Sequence, residues 1–359
     1  MRVFRTILAV VLAVSLVAGA VPTAAQSPES PARSGADCGF PVTRTDATGT
    51  AVTLSERPER IATLSPSAAQ TLWEIGARDR VVGVSEFALY LDGADSRTLV
   101  NTASGGIRTE RLVALEPDLV IAPGTIPDDT VATLRDRGLT VFALESPASI
   151  EGVADKTALL GRLTGACAGA AETNAWMRKN VAAVRDAVAD EPHPSALYVF
   201  SDGWTVGGDT FISDVMTTAG TTNVVGDAVS GYARVNPEVV RERNPEWIVY
   251  NDRDGIPDAA AYRETTAMRE NQTVAVDVNY LNQPAPRSIV RALRTIAMAI
   301  HPDAVDESSY VPRAAVGAET TAAATSTSPA TTAGDAPGFG FLAVGVVAFV
   351  AGTLARRRR

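Results

Sequence analysis

The sequence predicts an α/β protein of two lobes, each a central, mostly parallel sheet flanked by helices, joined by a single long rigid α-helix. Three observations carry that expectation. Short β-rich runs alternate with helical runs on both sides of the middle of the chain, the order that produces parallel sheets covered by helices. The stretch Cys167–Ala189 has helical periodicity: Met177, Val181, Val184 and Val188 recur on one face while Glu172, Arg178, Arg185 and Asp186 fall elsewhere. Finally, Thr109–Ala122 (TERLVALEPDLVIA) is matched by Pro237–Tyr250 (PEVVRERNPEWIVY), each with a Glu in its first helical turn and a Pro seven residues later, before a buried strand. The helix alone would suit a single-domain α/β protein better; the repeat tips the balance to two lobes related by duplication.

The N-terminal elements follow in order. Arg2 and Arg5 precede the apolar run Ile7–Ala20, and Ala24-Ala25-Gln26 offers small residues for cleavage. Residues 1–26 therefore read as a signal peptide, placing the mature chain outside the cytoplasm. Residues 27–57 form an N-terminal segment with a hairpin, Val42–Leu54, turning at Thr48-Gly49. The first lobe spans 58–166. Arg60–Leu64 reads as a strand, with Ser65 as cap and Pro66 as first position of a helix over Ala68–Ile75 that Gly76 closes. Val81–Ser85 is a strand and Glu86–Arg108 a long loop poor in apolar residues. Thr109 is expected to cap a short helix, followed by a strand over Asp118–Ala122, a helix over Asp128–Arg137 stopped by Gly138, and a strand over Leu139–Leu144.

The joining helix takes residues 167–190, and Pro192 and Pro194 stop it. At 1.5 Å per residue it reaches roughly 35 Å, enough to cross a small domain. The second lobe, 191–305, repeats the pattern: a strand over Ala196–Phe200, an aromatic turn at Trp204, a helix over Phe211–Thr218, a loop through Tyr232 and a helix from Pro237. Strands over Trp247–Tyr250 and Val274–Val278 and a helix over Ser288–Ile300 complete it. Residues 306–336 are rich in Thr, Ala and Ser, cannot bury enough apolar area to fold, and read as a tether. In the last segment, 337–359, Gly338–Ala355 is apolar for 18 residues and Arg356–Arg359 follows. That length meets the lower limit for a membrane span, roughly 17 residues, with the arginines on the cytoplasmic side.

Composition narrows the function. A net charge of −9 and a pI near 4.9 argue against nucleic-acid binding. His193 and His301 are the only histidines, both beside prolines, which leaves little for a Ser-His-Asp, Cys-His or metal site. Gly207-Gly208 lacks the P-loop lysine, and no GxGxxG follows a strand, so no nucleotide cofactor is expected. Cys38 and Cys167 leave two readings open: a disulfide in an oxidising compartment, or two buried free thiols. What remains is a set of aromatic and arginine residues at predicted loops, Tyr90, Trp204, Tyr232, Arg234, Tyr280 and Arg287. Under the duplication they share one interlobe edge, where ligand sites concentrate.

Four blocks then occur in order: IATLSPSAAQTLWEIGARDRVVGVS (from Ile61), TERLVALEPDLVIA (from Thr109), GWTVGGDTFISDVMTTAG (from Gly203) and PAPRSIVRAL (from Pro284). Over about Pro58–Pro302 the chain resembles the substrate-binding proteins of vitamin B12 and iron-siderophore ABC importers. The resemblance implies two α/β lobes bridged by one rigid helix, a ligand held between them, no enzymatic activity and no cofactor. It also implies a monomer that docks on an ABC permease dimer, with its ATPase subunits, through one glutamate per lobe; the matching positions are Glu110 and Glu238. Within the family the aromatics favour cobalamin. Ferric-siderophore binders gather several arginines, where only Arg234 and Arg287 are candidates here, and haem comes third. One aromatic of the B12-binding set, before Glu110, is replaced by Ser104-Gly105-Gly106. A secreted α/β hydrolase is the alternative outside the family. The C-terminal Pro337-Gly338-Phe339, with the apolar helix and arginines behind it, resembles the PGF-type sorting signal of archaeal surface proteins, whose helix an archaeosortase replaces with a lipid anchor on the outer face of the membrane.

Overall fold

The computed structural model describes residues 38–102 and 104–316, and begins with a hairpin, β1 (Val42–Thr45) and β2 (Ala51–Leu54), paired antiparallel around Gly49. Asp46 fixes this turn and ties it to the first lobe. Its carboxylate accepts from the Thr48, Thr50 and Ala143 amides and pairs with Arg135. Burial alone would raise its pKa, but these bonds outweigh burial and hold it below the usual carboxylate range.

The first lobe runs β3 (Ile61–Thr63), α1 (Pro66–Glu74), β4 (Val81–Val84), β5 (Thr98–Leu99), α2 (Thr109–Ala114), β6 (Leu119–Ala122), α3 (Asp128–Asp136) and β7 (Val141–Ala143). Its strands form one parallel sheet in the order β5-β4-β3-β6-β7. Every residue of β3, β6 and β7 is buried, as expected of a parallel sheet covered on both faces. Ser65 caps α1, its hydroxyl accepting from the Ala68 amide at 3.2 Å, with Pro66 at the first helical position.

Helix α4 (Ile150–Thr164) precedes and packs along α5 (Cys167–Ala187), the helix expected over 167–190, which joins the lobes. Gly165, at φ 67°, ends α4 and lets the chain reverse into α5. Cys167 is bonded to Cys38, which closes the open reading in favour of the disulfide and pins the hairpin segment to the start of α5. At that end α5 lies against the first lobe: a Cβ on Gly169 would stand 2.1 Å from the Ile75 carbonyl oxygen, and the Thr173 hydroxyl donates to the Glu74 carbonyl. At the other end Val188 packs on Gly220 of the second lobe. Met177, Val181, Val184 and Val188 are all buried, as the periodicity predicts.

The second lobe runs β8 (Ser195–Val199), β9 (Trp204–Val206), α6 (Phe211–Thr218), β10 (Thr222–Asn223), β11 (Tyr232–Arg234), α7 (Pro237–Arg243), β12 (Trp247–Asn251), α8 (Ala260–Arg263), α9 (Thr266–Arg269), β13 (Thr273–Val276), α10 (Val278–Leu281) and α11 (Pro286–Ile300). Its parallel sheet has the order β10-β8-β12-β13, and β9 pairs antiparallel with β11 as a separate ribbon.

The two sheets share one wiring. In each, the first strand (β3 or β8) is central, a later strand lies on one side of it, and the repeat strand (β6 or β12) lies on the other. The repeat itself is matched in detail. Glu116 and Asn244, each immediately before the repeat's proline, both take a left-handed conformation, φ 44° and 40°. The acid after that proline clasps the start of the first strand in both lobes: Asp118 accepts from the Glu59 and Arg60 amides, and Glu246 from the Ser195 amide and hydroxyl.

Several local expectations are corrected. Thr109 is the first residue of α2 rather than its cap, and no side chain caps that helix. Trp204 and Tyr232 belong to the strands β9 and β11 rather than to a turn and a loop, because the two three-residue segments satisfy each other's backbone groups. The long loop after β4 contains β5. Helix α4 was not anticipated: Gly152, Lys156 and Gly161 interrupt its apolar face, yet Lys156 and Gly161 are buried, and Gly161 admits Ala170 of α5. Among the described residues, those to Tyr310 belong to one compact unit, and residues 311–316 fall outside it. Glu307, expected in the tether, instead pairs with Arg294 at 2.7 Å, and Arg294 lies over the Tyr310 ring. The expected signal peptide, most of the expected tether, Pro337-Gly338-Phe339 and the apolar segment behind them lie outside the described residues. Among the described residues no helix is long and apolar enough to cross a membrane.

Candidate ligand cleft

In doubly wound sheets ligands bind beyond the carboxyl ends of the strands, where the strand order reverses. Both sheets direct such ends at one region. From the first lobe come Ser65 and Pro66 after β3, Glu86 and Phe87 after β4, and Pro123 and Thr125 after β6; from the second come Ser201 and Asp202 after β8, Arg253 and Asp254 after β12, and Asn279 and Asn282 after β13. These residues line three depressions of 390, 460 and 440 Å³. The first and third share Phe87, Asn282 and Gln283, and the consecutive residues Arg253 and Asp254 link the first to the second. Residues of both lobes line the first and third, so these form an interlobe cleft, which the second depression extends along the second lobe. A roomier depression of 740 Å³ lies at the opposite, amino ends of β8 and β10, beside Ser195 and Thr222. It lacks aromatic side chains and is the poorer ligand site by the same topological rule.

The cleft is braced by a buried polar seam. Along one face of α1, Ser67, Gln70 and Glu74 meet residues 284–288 of the second lobe. Lys156 of α4 donates to both the Ser67 hydroxyl (3.0 Å) and the Pro284 carbonyl. Gln70 Nε2 donates to Ser288 Oγ at 3.1 Å, and Tyr90 donates to Gln70 Oε1 at 2.6 Å. Arg287 Nε pairs with Glu74 at 3.1 Å, the Glu74 side chain being 1% exposed. Burial lowers the Lys156 pKa to about 7, against the opposing effect of Glu74. Burial and the Glu74 charge push the Tyr90 phenol up.

The six residues singled out from sequence divide between cleft and seam. Trp204 and Tyr232, 38% and 50% exposed, line the second depression with Phe200, Asp202 and Asp254. Arg234 sits opposite Trp204 in the ribbon and is exposed, with Asp202 at 3.4 Å. Tyr90 lines the first depression while its hydroxyl belongs to the seam. Tyr280 and Arg287 line none of the three depressions. Tyr280 packs edge-on against Tyr90 (6.4 Å between centroids) under Arg291, and Arg287 is held by Glu74. The structure adds Phe87, Leu89, Phe200, Arg253, Asp254, Asn282 and Gln283 to the lining. Phe87 was findable, since it lies three residues beyond β4, at the carboxyl edge of the first sheet. Asp254 is fixed from beneath: Asn251, fully buried, donates to its carboxylate at 2.8 Å and to the Tyr198 hydroxyl, which donates to Asn282.

Away from the cleft, Glu110 and Glu238 are exposed in the first turns of α2 and α7, equivalent places in the two lobes. Arg241 pairs with Glu238 at 2.7 Å, whereas among the described residues Glu110 makes no ion pair. His193 and His301 bond the Val188 and Gly220 carbonyls and line none of the depressions.

Two duplicated parallel sheets that direct their carboxyl ends at an aromatic-lined cleft, joined through a rigid helical connection, define a two-lobed carrier of a small molecule. The chain belongs to the periplasmic binding protein family, whose profile matches residues 61–280. It is therefore an extracytoplasmic binding protein of a type that carries no cofactor. It is 44% identical over 315 residues to the cobalamin-binding protein of Halobacterium salinarum, covering 83% of this chain and 84% of that one. Among solved structures, the periplasmic vitamin B12 binding protein BtuF of Vibrio cholerae matches at 25% identity with a TM-score of 0.59, over 68% of this chain and 96% of that one. The periplasmic heme-binding protein RhuT of Roseiflexus, in apo form, has the same fold, with a TM-score of 0.61 at 23% identity over 68% and 99% of the two chains.

Proposed function

We propose that this protein captures cobalamin in the interlobe cleft and delivers it to the permease of an ABC importer. The observation that carries the ligand is the cleft itself, in which Trp204, Tyr232, Phe200, Phe87 and Leu89 supply broad apolar faces while side-chain amides and a few charges surround them. A corrinoid offers a wide ring face edged by amides, so aromatic area supplies affinity and the polar groups fix orientation. The extent of the similarity to the Halobacterium salinarum protein supports the same reading. Ferric siderophore and haem are the competing ligands. An anionic siderophore calls for a cluster of free arginines, but Arg287 is occupied by Glu74, and neither histidine lies in the cleft to ligate haem iron. Isothermal titration of the purified protein with cyanocobalamin, ferric siderophores and haem tests the assignment. One corrinoid per chain with submicromolar affinity is expected; binding of haem or a siderophore in its place would overturn it.

Delivery rests on Glu110 and Glu238, whose exposure at equivalent helix starts suits docking on a two-fold permease, where charged rims set orientation and encounter rate. The protein works as a monomer on the outer face of the membrane, held there through its C-terminal segment from Pro337 onward or through a lipid that replaces it.

A further inference from the structure

Among the described residues, the charged side chains lining the three depressions are Glu86, Asp202, Arg253 and Asp254. They are not evenly placed. Asp202 and Asp254 flank the Trp204–Tyr232 shelf of the second lobe, and the buried Asn251 holds Asp254 in position. Arg253 lines the neighbouring depression instead, together with Asn279, Asn282 and Gln283, which present side-chain amides. Arg253 is exposed and, among the described residues, makes no ion pair, although Glu86 lines the same depression. Arg234, the other arginine near the shelf, has Asp202 beside it. The cleft is thus acidic at its aromatic shelf and offers one uncommitted guanidinium at the mouth between the lobes.

This distribution matches a chemical asymmetry of the ligand and rests on the corrinoid reading above. The corrin ring of cobalamin carries the cobalt(III) centre and neutral peripheral amides, and the one anionic group outside the cobalt's own ligands is the phosphodiester of the nucleotide loop. We infer that Arg253 receives that phosphodiester and so fixes which way round the corrinoid lies, with the ring over Trp204 and Tyr232 and the nucleotide loop toward Asn279 and Asn282. A guanidinium presents paired donors in a fork that fits two phosphate oxygens. Because Arg253 is solvent-exposed, the pair contributes modestly to affinity and mainly to orientation.

The test removes the charge from either partner. Cobinamide has the same ring and amides but lacks the nucleotide loop and its phosphate. Arg253→Gln is expected to weaken cyanocobalamin about fivefold while leaving cobinamide unchanged, and Arg253→Lys, which keeps the charge but not the fork, should restore only part of the loss. Equal weakening of both corrinoids, or of neither, would overturn the assignment while leaving cobalamin as the ligand. A wild-type protein that bound neither corrinoid would remove the ligand reading and this assignment with it.

Discussion

Trp204 and Tyr232 carry the argument at the level of single residues, since each spreads an aromatic face at the cleft surface from a short strand that its partner holds in place. Truncating either to Ala should cost on the order of 2 kcal/mol in cobalamin binding, roughly thirtyfold in affinity. Arg234→Ala should cost less, because that side chain is exposed and has Asp202 as its neighbour. Titration of the three variants checks the order; Arg234→Ala as the most damaging change would point to an anionic ligand. Lys156 yields a prediction about stability. Its folded pKa is lowered by burial to about 7 from an ordinary value of 10.5. Between those values the unfolded chain binds more protons than the folded one, so this residue's contribution to stability rises with pH across the window. Below pH 7 both states are protonated and the penalty for burying the charge is complete. Denaturant unfolding of wild type and Lys156→Met between pH 6 and 9.5 should therefore show wild type gaining on the variant above pH 7, and parallel curves would contradict the burial of a titrating amine. Residue roles in the cleft were only partly legible. An arginine in a sequence looks the same whether it faces a ligand or, like Arg287, a buried carboxylate 213 residues away.

The elements were more legible than the residues, because hydrophobic period and chain punctuation are local. Strands β3, β6 and β12 announce themselves as apolar runs, and α1 through the Ser65-Pro66 start and the Gly76 stop. The elements that escaped are those whose existence depends on a distant partner. The ribbon β9-β11 joins segments about 28 residues apart in sequence, and nothing within either segment specifies the pairing. Helix α4 hides because its buried face carries Lys156, whose amine is satisfied by Ser67 and Pro284, and Gly161, whose bare backbone admits α5. The contact that seats α5 on the first lobe is equally particular. Gly169→Ala would drive a methyl group into the Ile75 carbonyl, and relief would need backbone movement in α1 or α5. We expect a loss of about 3 kcal/mol, at the upper end of overpacking penalties, read as a lower denaturation midpoint with an unchanged m-value. A neutral substitution would mean that α5 does not lie against α1 as described.

For the whole molecule, one wiring diagram used twice gives two sets of strand ends that meet at the cleft and two equivalent helix starts, which the proposed function assigns to docking on the permease. The repeat of Thr109–Ala122 in Pro237–Tyr250 makes the shared wiring legible in the sequence, and the matched left-handed residues Glu116 and Asn244 give it physical detail. Glu110→Ala combined with Glu238→Ala should leave cobalamin affinity within about twofold, the usual scale of surface substitutions, while reducing uptake by whole cells severely. Equal loss of binding and uptake would place these glutamates in the cleft instead. The central claim, that a corrinoid lies between the two sheets against the shelf of Trp204 and Tyr232, is open to one direct measurement. Crystals grown with cyanocobalamin and recorded at the cobalt absorption edge should show a single strong anomalous peak in the interlobe cleft, over those two rings and facing Phe87 and Leu89. A peak in the depression beside Ser195 and Thr222, or none at saturating ligand, would contradict the account.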